Sequence, residues 1–340
     1  MNHQFKKMKM VAEKLITIES TVSSVSVLFI HSALFLVAHF LPSFPLLTLL
    51  SISAGVMLLV VGLGRACKKL LGVRGSAPAF VVINILYVWI VYLIVIRPGV
   101  SYKLDIVFNS ELVILLLGLC RILSSDPGYV AYGYSNPEKL VADPLLDVET
   151  PLQESELASC ETYKGCASNE KNGQESTLLQ RIRFCRMCKV YVKGFDHHCP
   201  AFGNCIGQKN RVLFITLLVG FILSEASYIA CLSQFAKSYT ADKDVEKPSY
   251  SSTLAGSTML FSLLQVLWQI VFLMWHLYCV CFNITTDEWI NWKRYPEFQL
   301  VVQLQLGFDC SGQPASRTVF TNPYNHGILQ NLKHFLKAKE

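Results

Sequence analysis

From Arg181 to Phe235 the chain reads RIRFCRMCKVYVKGFDHHCPAFGNCIGQKNRVLFITLLVGFILSEASYIACLSQF, and a change of character inside this stretch decides the fold. Up to Asn210 it is basic and carries Cys185, Cys188, Cys199 and Cys205, with His197 and His198 among them. From Val212 to Phe235 it is almost unbroken apolar sequence. An α-helix of roughly 18–20 apolar residues crosses a hydrocarbon core, so this run is long enough to span a membrane. The cysteine-rich piece before it is too short to bury a core of its own and needs a staple to hold one shape.

Moving outward, the composition supports an integral membrane protein. Of 340 residues, 52% are hydrophobic and only 16% charged, with a mean hydropathy of +0.39. Soluble domains average roughly 25% charged residues. A secreted disulfide scaffold and a disordered chain are excluded. Further apolar runs lie at about Val22–Leu41, Leu46–Gly64, Ala79–Ile96, Ile106–Leu123 and Leu254–Phe282, which with Val212–Phe235 makes six spans. The fourth is the weakest, because Asn109 and Glu111 sit in its first turns. The first run is too long for a signal peptide and lacks a small-residue cleavage site.

Positive charge sets an expected orientation. Lys6, Lys7, Lys9 and Lys14 precede the first span, and Arg65, Lys68, Lys69 and Arg74 follow the second. The opposite loops are uncharged, sparse or balanced in sign. Both termini and the loop from Ser124 to Arg211 are therefore expected in the cytosol. The formal charge of +6 reads as topology rather than nucleic-acid binding. The stretch from about Pro137 to Gln174 is acidic, Ser-rich and poor in aromatics, and reads as a linker. The fold class is an all-α polytopic membrane protein with a small metal-stapled cytosolic domain between helices four and five. The expected divisions are 1–78 (a basic segment and two helices), 79–123 (two helices), 124–180 (linker), 181–211 (cysteine-rich domain), 212–282 (two helices) and 283–340 (tail).

Cys67, Cys120, Cys231, Cys279 and Cys281 lie in or beside apolar runs, where a thiol behaves as a small hydrophobe. The cluster needs another account. Cys185 and Cys188 form a C-x-x-C pair, from which two thiolates reach one Zn²⁺ within a single turn. His198 and Cys205 complete a candidate tetrahedral site, and a reducing cytosol favours metal over disulfide. Cys199, His197 and Asp196 are left over. A thiol beside a base becomes a nucleophile, His197 can be that base, and Asp196 can fix its tautomer. The competing reading makes Asp196, His197, His198 and Cys199 all metal ligands. It is disfavoured because no further ligands lie nearby to complete a second site.

Asp196-His197-His198-Cys199, followed by Pro200, Asn204-Cys205-Ile206-Gly207 and Asn210, resembles the signature of the DHHC-type protein S-acyltransferases (palmitoyltransferases). Asp126-Pro127-Gly128 resembles their DPG element, Thr285-Thr286-Asp287-Glu288 their TTxE element, and Asn322-Pro323-Tyr324-Asn325-His326-Gly327 with Asn331 their NPxxxG…N element. The likeness covers about Ala79 to Phe335, so the first two spans look like an addition to a four-span core. Two departures stand out. Where the family carries ligands of another zinc ion, this chain has Phe184 and Tyr191 and no upstream C-x-x-C; Cys160 and Cys166 are badly placed to supply one. Where the family has Trp after the proline, this chain has Ala201.

The resemblance implies one zinc ion, on Cys185, Cys188, His198 and Cys205. It implies that Cys199, assisted by His197 and Asp196, takes a long-chain acyl group from acyl-CoA (palmitoyl-CoA) and passes it to a substrate protein's membrane-proximal cysteine. The compartment would be Golgi, endoplasmic reticulum or plasma membrane. Ala79, Val82, Tyr87, Phe214 and Phe221 are candidates to line an acyl slot between helices three to six. The three accessory elements read first as structural support: a chain turn at Asp126, polar residues at a helix end for Thr285 and Thr286, and caps for Asn322 and Asn331 on an amphipathic helix from about Gly327 to Leu336. Glu225, in mid-span, reads as a carboxyl facing Ser224, Ser227 or a neighbouring helix. His31, His39 and His276 read as interhelical or interfacial. The rival functions are a catalytically silent relative acting as a membrane scaffold, and a transporter, which lacks the expected broken helices in matching halves.

Overall fold

The computed structural model describes residues 2–130, 181–241, 250–308 and 314–337. The linker, Cys160 and Cys166 lie outside them. Among the described residues, six helices are long and apolar enough to cross a membrane. They are α1 (Asn2–Phe40), α2 (Leu46–Leu70), α3 (Ala77–Val91), α4 (Tyr102–Leu123), α5 (Arg211–Ala241) and α6 (Tyr250–Cys281). The protein is polytopic, with the cysteine-rich segment between α4 and α5.

Local chemistry explains where these helices begin and turn. Ser76 caps α3 by accepting from the amide of Ala79, and Pro78 occupies its first turn, where no amide hydrogen is needed. Before Pro98, α3 widens into a π turn at Tyr92–Ile96. The fourth helix starts at Tyr102, earlier than its apolar run, because its polar residues are satisfied. Asn109 accepts from Trp89 Nε1 (3.2 Å) and donates to Asp105, while Tyr92 donates to Asp105 (2.6 Å).

The helices pack α4 and α6 against α5, while α1 lies against α2, α3 and α6. His31 of α1 is buried, donating from Nε2 to Asn84 Oδ1 (3.1 Å) and stacking on Tyr87. That is the interhelical place expected of it. By contrast α2 exposes most of its surface, including Leu47, Leu58 and Leu59, as a helix facing lipid does.

Between α4 and α5 stand two antiparallel hairpins, β1 (Ile182–Cys185) with β2 (Val190–Lys193), and β3 (His197–Cys199) with β4 (Asn204–Ile206). After α6 come the short α7 (Thr286–Asn291), an antiparallel pair β5 (Gln299–Phe308) and β6 (Pro314–Phe320), and α8 (Ile328–Lys337). The sequence reading did not anticipate the β5–β6 pair. Its signal was present: Leu300, Val302, Leu304 and Leu306 alternate with other residues in the two-residue period of a strand. Phe298, buried between Phe320 and Tyr324, ties this hairpin to the end of α6 through Cys279 and Ile284.

Candidate active site and metal centre

Strand alternation sorts the residues of the site. Successive side chains of a strand face opposite ways, so in β3 His197 and Cys199 share one face and His198 takes the other. On the His198 side, the ligand atoms of Cys185, Cys188, His198 and Cys205 lie within 4.8 Å of one another. From His198 Nδ1 the sulfurs of Cys185, Cys188 and Cys205 are 3.8, 3.3 and 3.8 Å away, and the Cys188 and Cys205 sulfurs are 3.5 Å apart. Ligands about 2.0–2.3 Å from a tetrahedral ion stand roughly this far from each other, so the donor set fits zinc in both chemistry and spacing. The Cys188 amide also donates to Cys185 Sγ (3.4 Å), as suits a thiolate. Lys189, in the left-handed region at φ 56°, closes the turn between β1 and β2.

The structure places Phe184 and Tyr191 opposite each other in the β1–β2 register, rings 5.1 Å apart. At the positions where the resemblance would put metal ligands, these strands are held by an aromatic cross-strand pair. Among the described residues, Cys185, Cys188, His198 and Cys205 are the one group able to hold a metal.

The module is fastened to the helices by buried amides. Asn204 donates to the carbonyls of Ile122 (2.9 Å) and Ser125 (2.8 Å) at the end of α4. Asn210 accepts from the Gly207 amide and donates to the Cys205 carbonyl, both at 2.9 Å. Asp126 accepts from the amides of Gly128 and Tyr129, and the hydrogen bond from Lys209 holds its carboxyl down at about 2.

On the other face, Asp196 is fully buried. Its Oδ1 accepts from the Thr286 amide (2.5 Å), and its carbonyl accepts from the Asp287 amide (3.0 Å). Near Oδ2 stand Arg211 Nε (3.4 Å), His276 Nδ1 (3.8 Å) and His197 Nδ1 (3.9 Å). Burial opposes ionisation of this carboxyl, but Arg211 and His197 outweigh it and hold it well below the carboxylate range. Burial likewise disfavours the charged form of His197, and Asp196 with the Cys199 sulfur overcomes it, raising the imidazole to about 9. An imidazole with this bias stabilises a thiolate beside it.

Cys199 is nearly buried and opens on a cavity of about 250 Å³ running between α3, α4, α5 and α6. Of the slot candidates, Phe214 and Phe221 line it, whereas Ala79, Val82 and Tyr87 do not. Helix α3 instead offers the neighbouring face, including Phe80, Val81 and Ile85. Ala201 lies on the wall beside Cys199. Glu225 also lines the cavity, next to Ser262 and with Oε2 unpartnered among the described residues. From Arg211 it is fourteen residues along α5, about 21 Å at the helical rise.

The accessory elements are structural, in part differently from expectation. Thr285 caps α7 in a reciprocal capping box with Glu288. Glu288 is itself buried against Arg181, which meets it at 2.8 and 2.6 Å and also donates to Asn283. Asn322 and Asn331 are not helix caps. Asn331 is buried within α8 and donates to the Cys281 carbonyl (2.7 Å), and Asn322 donates to the Phe282 carbonyl (2.7 Å). Both anchor the tail to the end of α6. His276, read as an interhelical residue, reaches Asp196 instead. No local pattern signalled this contact, because Asp196 and His276 lie eighty residues apart and meet only through the packing of α6 on the cysteine-rich module.

Residues 172–293 match the family model described as DHHC palmitoyltransferase. The chain is 29% identical to palmitoyltransferase ZDHHC17 of Mus musculus over 47% of this chain and 24% of that protein. It is 28% identical to palmitoyltransferase ZDHHC17 of Danio rerio over 71% of this chain and 35% of that one. Palmitoyltransferase ZDHHC9 of Pongo abelii is 29% identical over 47% of this chain and 43% of its own length. The alignments thus span between a quarter and less than half of these relatives.

Proposed function

We propose that the chain is a DHHC-type S-acyltransferase, as its likeness to that family model and to palmitoyltransferases supports, and that it moves a long-chain acyl group, palmitoyl, from acyl-CoA to cysteines of membrane-associated proteins. The observation that carries this is Cys199 standing at once beside His197 and at the head of an apolar cavity. A buried acyl chain gains about 0.8 kcal/mol per CH₂, so such a cavity favours a fatty donor and places its thioester at Cys199.

The Cys199 proton passes to His197, and the sulfur attacks the thioester carbonyl carbon. The tetrahedral intermediate expels the CoA thiolate, which takes a proton from His197. The acyl group now rests on Cys199 as a thioester. A substrate cysteine thiolate then attacks the same carbon and releases Cys199. Asp196 keeps the imidazole in the tautomer that faces Cys199 and stabilises the imidazolium, and Arg211 and the Thr286 amide hold Asp196. Cys185, Cys188, His198 and Cys205 would hold one zinc ion, whose contribution is to fix β3 and so the aim of Cys199. The site faces the cytosol, where acyl-CoA is found, with both chain ends on that side. A silent scaffold has no use for a nucleophile at the mouth of a fatty slot and is not favoured.

Purified protein incubated with fluorescent palmitoyl-CoA should acquire a hydroxylamine-sensitive label that Cys199→Ser lacks. Equal thioester labelling of both proteins would end this reading.

A further inference from the structure

We propose that His276, near the end of α6, is a positioning residue for acyl transfer: it holds Asp196, and through it His197, in register with the wall of the acyl cavity. The inference deepens the S-acyltransferase reading and rests on it.

A histidine buried only for packing between helices satisfies its ring nitrogens with a carbonyl or a hydroxyl. His276 does not. It is 1% exposed, and neither ring nitrogen has a hydrogen-bond partner among the described residues. Its Nδ1 points at Asp196 Oδ2 from 3.8 Å, and His197 Nδ1 faces the same oxygen from 3.9 Å on another side. The two imidazoles lie 5.5 Å apart, centre to centre. Arg211 Nε completes the ring of donors at 3.4 Å, yet among the described residues Oδ2 is also without a hydrogen bond. Three buried donors and one buried acceptor thus stand just outside bonding distance of each other. Leaving all of them unmade is costly, and a contraction of less than about 1 Å makes them. Catalytic hydrogen bonds that are long without substrate commonly tighten once it binds.

The other side of His276 explains what drives that contraction. Phe272 and Phe214 pack edge-on against its ring, with centroids at 4.6 and 4.8 Å. Both phenyl rings also line the cavity next to Cys199. An acyl chain filling the cavity presses on these rings, and they are the support on which His276 rests. His276 therefore meets the fatty chain through one layer of aromatic carbon and meets the catalytic carboxylate directly. Its own part is to donate a hydrogen bond to Oδ2, with no proton transferred. That bond stops Asp196 from turning away while His197 carries the Cys199 proton.

The test uses the full chain in detergent or nanodiscs, with palmitoyl-CoA as donor and zinc content as the check on folding. His276→Phe keeps the ring packing and removes the donor, whereas His276→Asn returns an amide N–H near the place of Nδ1. We expect H276F to lower kcat for self-acylation by about 10–100-fold, as removal of an outer supporting group does, with zinc retained. KM for palmitoyl-CoA should stay within about twofold, since ground-state binding is not its task. H276N should recover most of the lost rate, a rescue that a packing role does not supply. Should H276F fail to hold zinc, H276N against H276L poses the same question with side chains of similar size. H276F at the wild-type rate, a loss confined to KM, or no advantage of Asn over the apolar variant would each overturn the assignment. An inert wild type sinks the S-acyltransferase reading itself, and this inference with it; an active wild type matched by H276F sinks only the role of His276.

Discussion

At the scale of single residues, the site is held by charges that have left water. Arg181 and Glu288 are the clearest pair, with side chains 19% and 2% exposed. Burial opposes the Glu288 carboxylate, and Arg181 overcomes it and holds the group below its ordinary range. A carboxyl lowered in the folded state contributes stability above the unfolded pKa and loses it as pH falls through the folded value. Glu288→Gln strands the Arg181 charge and should destabilise the protein by about 3 kcal/mol near neutral pH. Thermal unfolding from pH 7 down to pH 3 is the measurement: the wild type should lose the difference below the carboxylate range, and curves that stay parallel would contradict it. Phe184 and Tyr191 carry a second expectation at this scale. Because an aromatic pair joins β1 to β2 there, elemental analysis should find close to one zinc ion per chain, and two would show that further ligands take part.

At the scale of elements, the hairpins that carry the chemistry have almost no core. Among the described residues, β1 and β2 pack into one small cluster of Cys185, Val192, Phe195 and Cys205, with Cys188 and Val190 at its edge. Removing the metal should therefore melt the module while the helices persist. Chelation should abolish labelling of Cys199 and leave far-ultraviolet helicity nearly unchanged, and Cys185→Ala and Cys205→Ala should reproduce both effects. Labelling that survives with no zinc bound would refute the staple. Gly207 tests the packing of the module on the chain after α4. A Cβ there would strike the Pro127 carbonyl oxygen and come within 2.7 Å of Val192 Cγ1. Two of its three nearest neighbours are backbone oxygens that cannot swing aside, so Gly207→Ala should lower the yield of zinc-loaded protein. Wild-type yield and melting temperature would mean that this contact gives way cheaply.

At the scale of the whole molecule, the cavity at Cys199 belongs to no single element. Four helices and the β3–β4 turn wall it, and α1 braces it from outside through His31 on Asn84. The first two helices are thus not an inert appendage, since Asn84 is itself part of the lining. With six spans the two ends of the chain should share a side with the cysteine-rich module. Tags at positions 1 and 340, probed in sealed vesicles together with a tag in 131–180, should be accessible or protected as a group. A tag that breaks ranks would change the number of spans.

What the sequence determined by itself were the properties that repeat locally. Length and apolarity placed the helices, since crossing a hydrocarbon core is a condition on consecutive residues. The C-x-x-C spacing pointed to Cys185, Cys188, His198 and Cys205 as one donor set, whereas the strand that turns His198 away from His197 and Cys199 came from the structure. The β5–β6 alternation was equally legible and was overlooked. The tertiary structure alone decided which face of α3 meets the cavity, that Asn331 reaches back to Cys281, and that His276 stands over Asp196. In a span that is apolar all round, periodicity does not distinguish the lipid side from the protein side. Contacts between residues eighty positions apart depend on how the helices pack, and no local pattern records that.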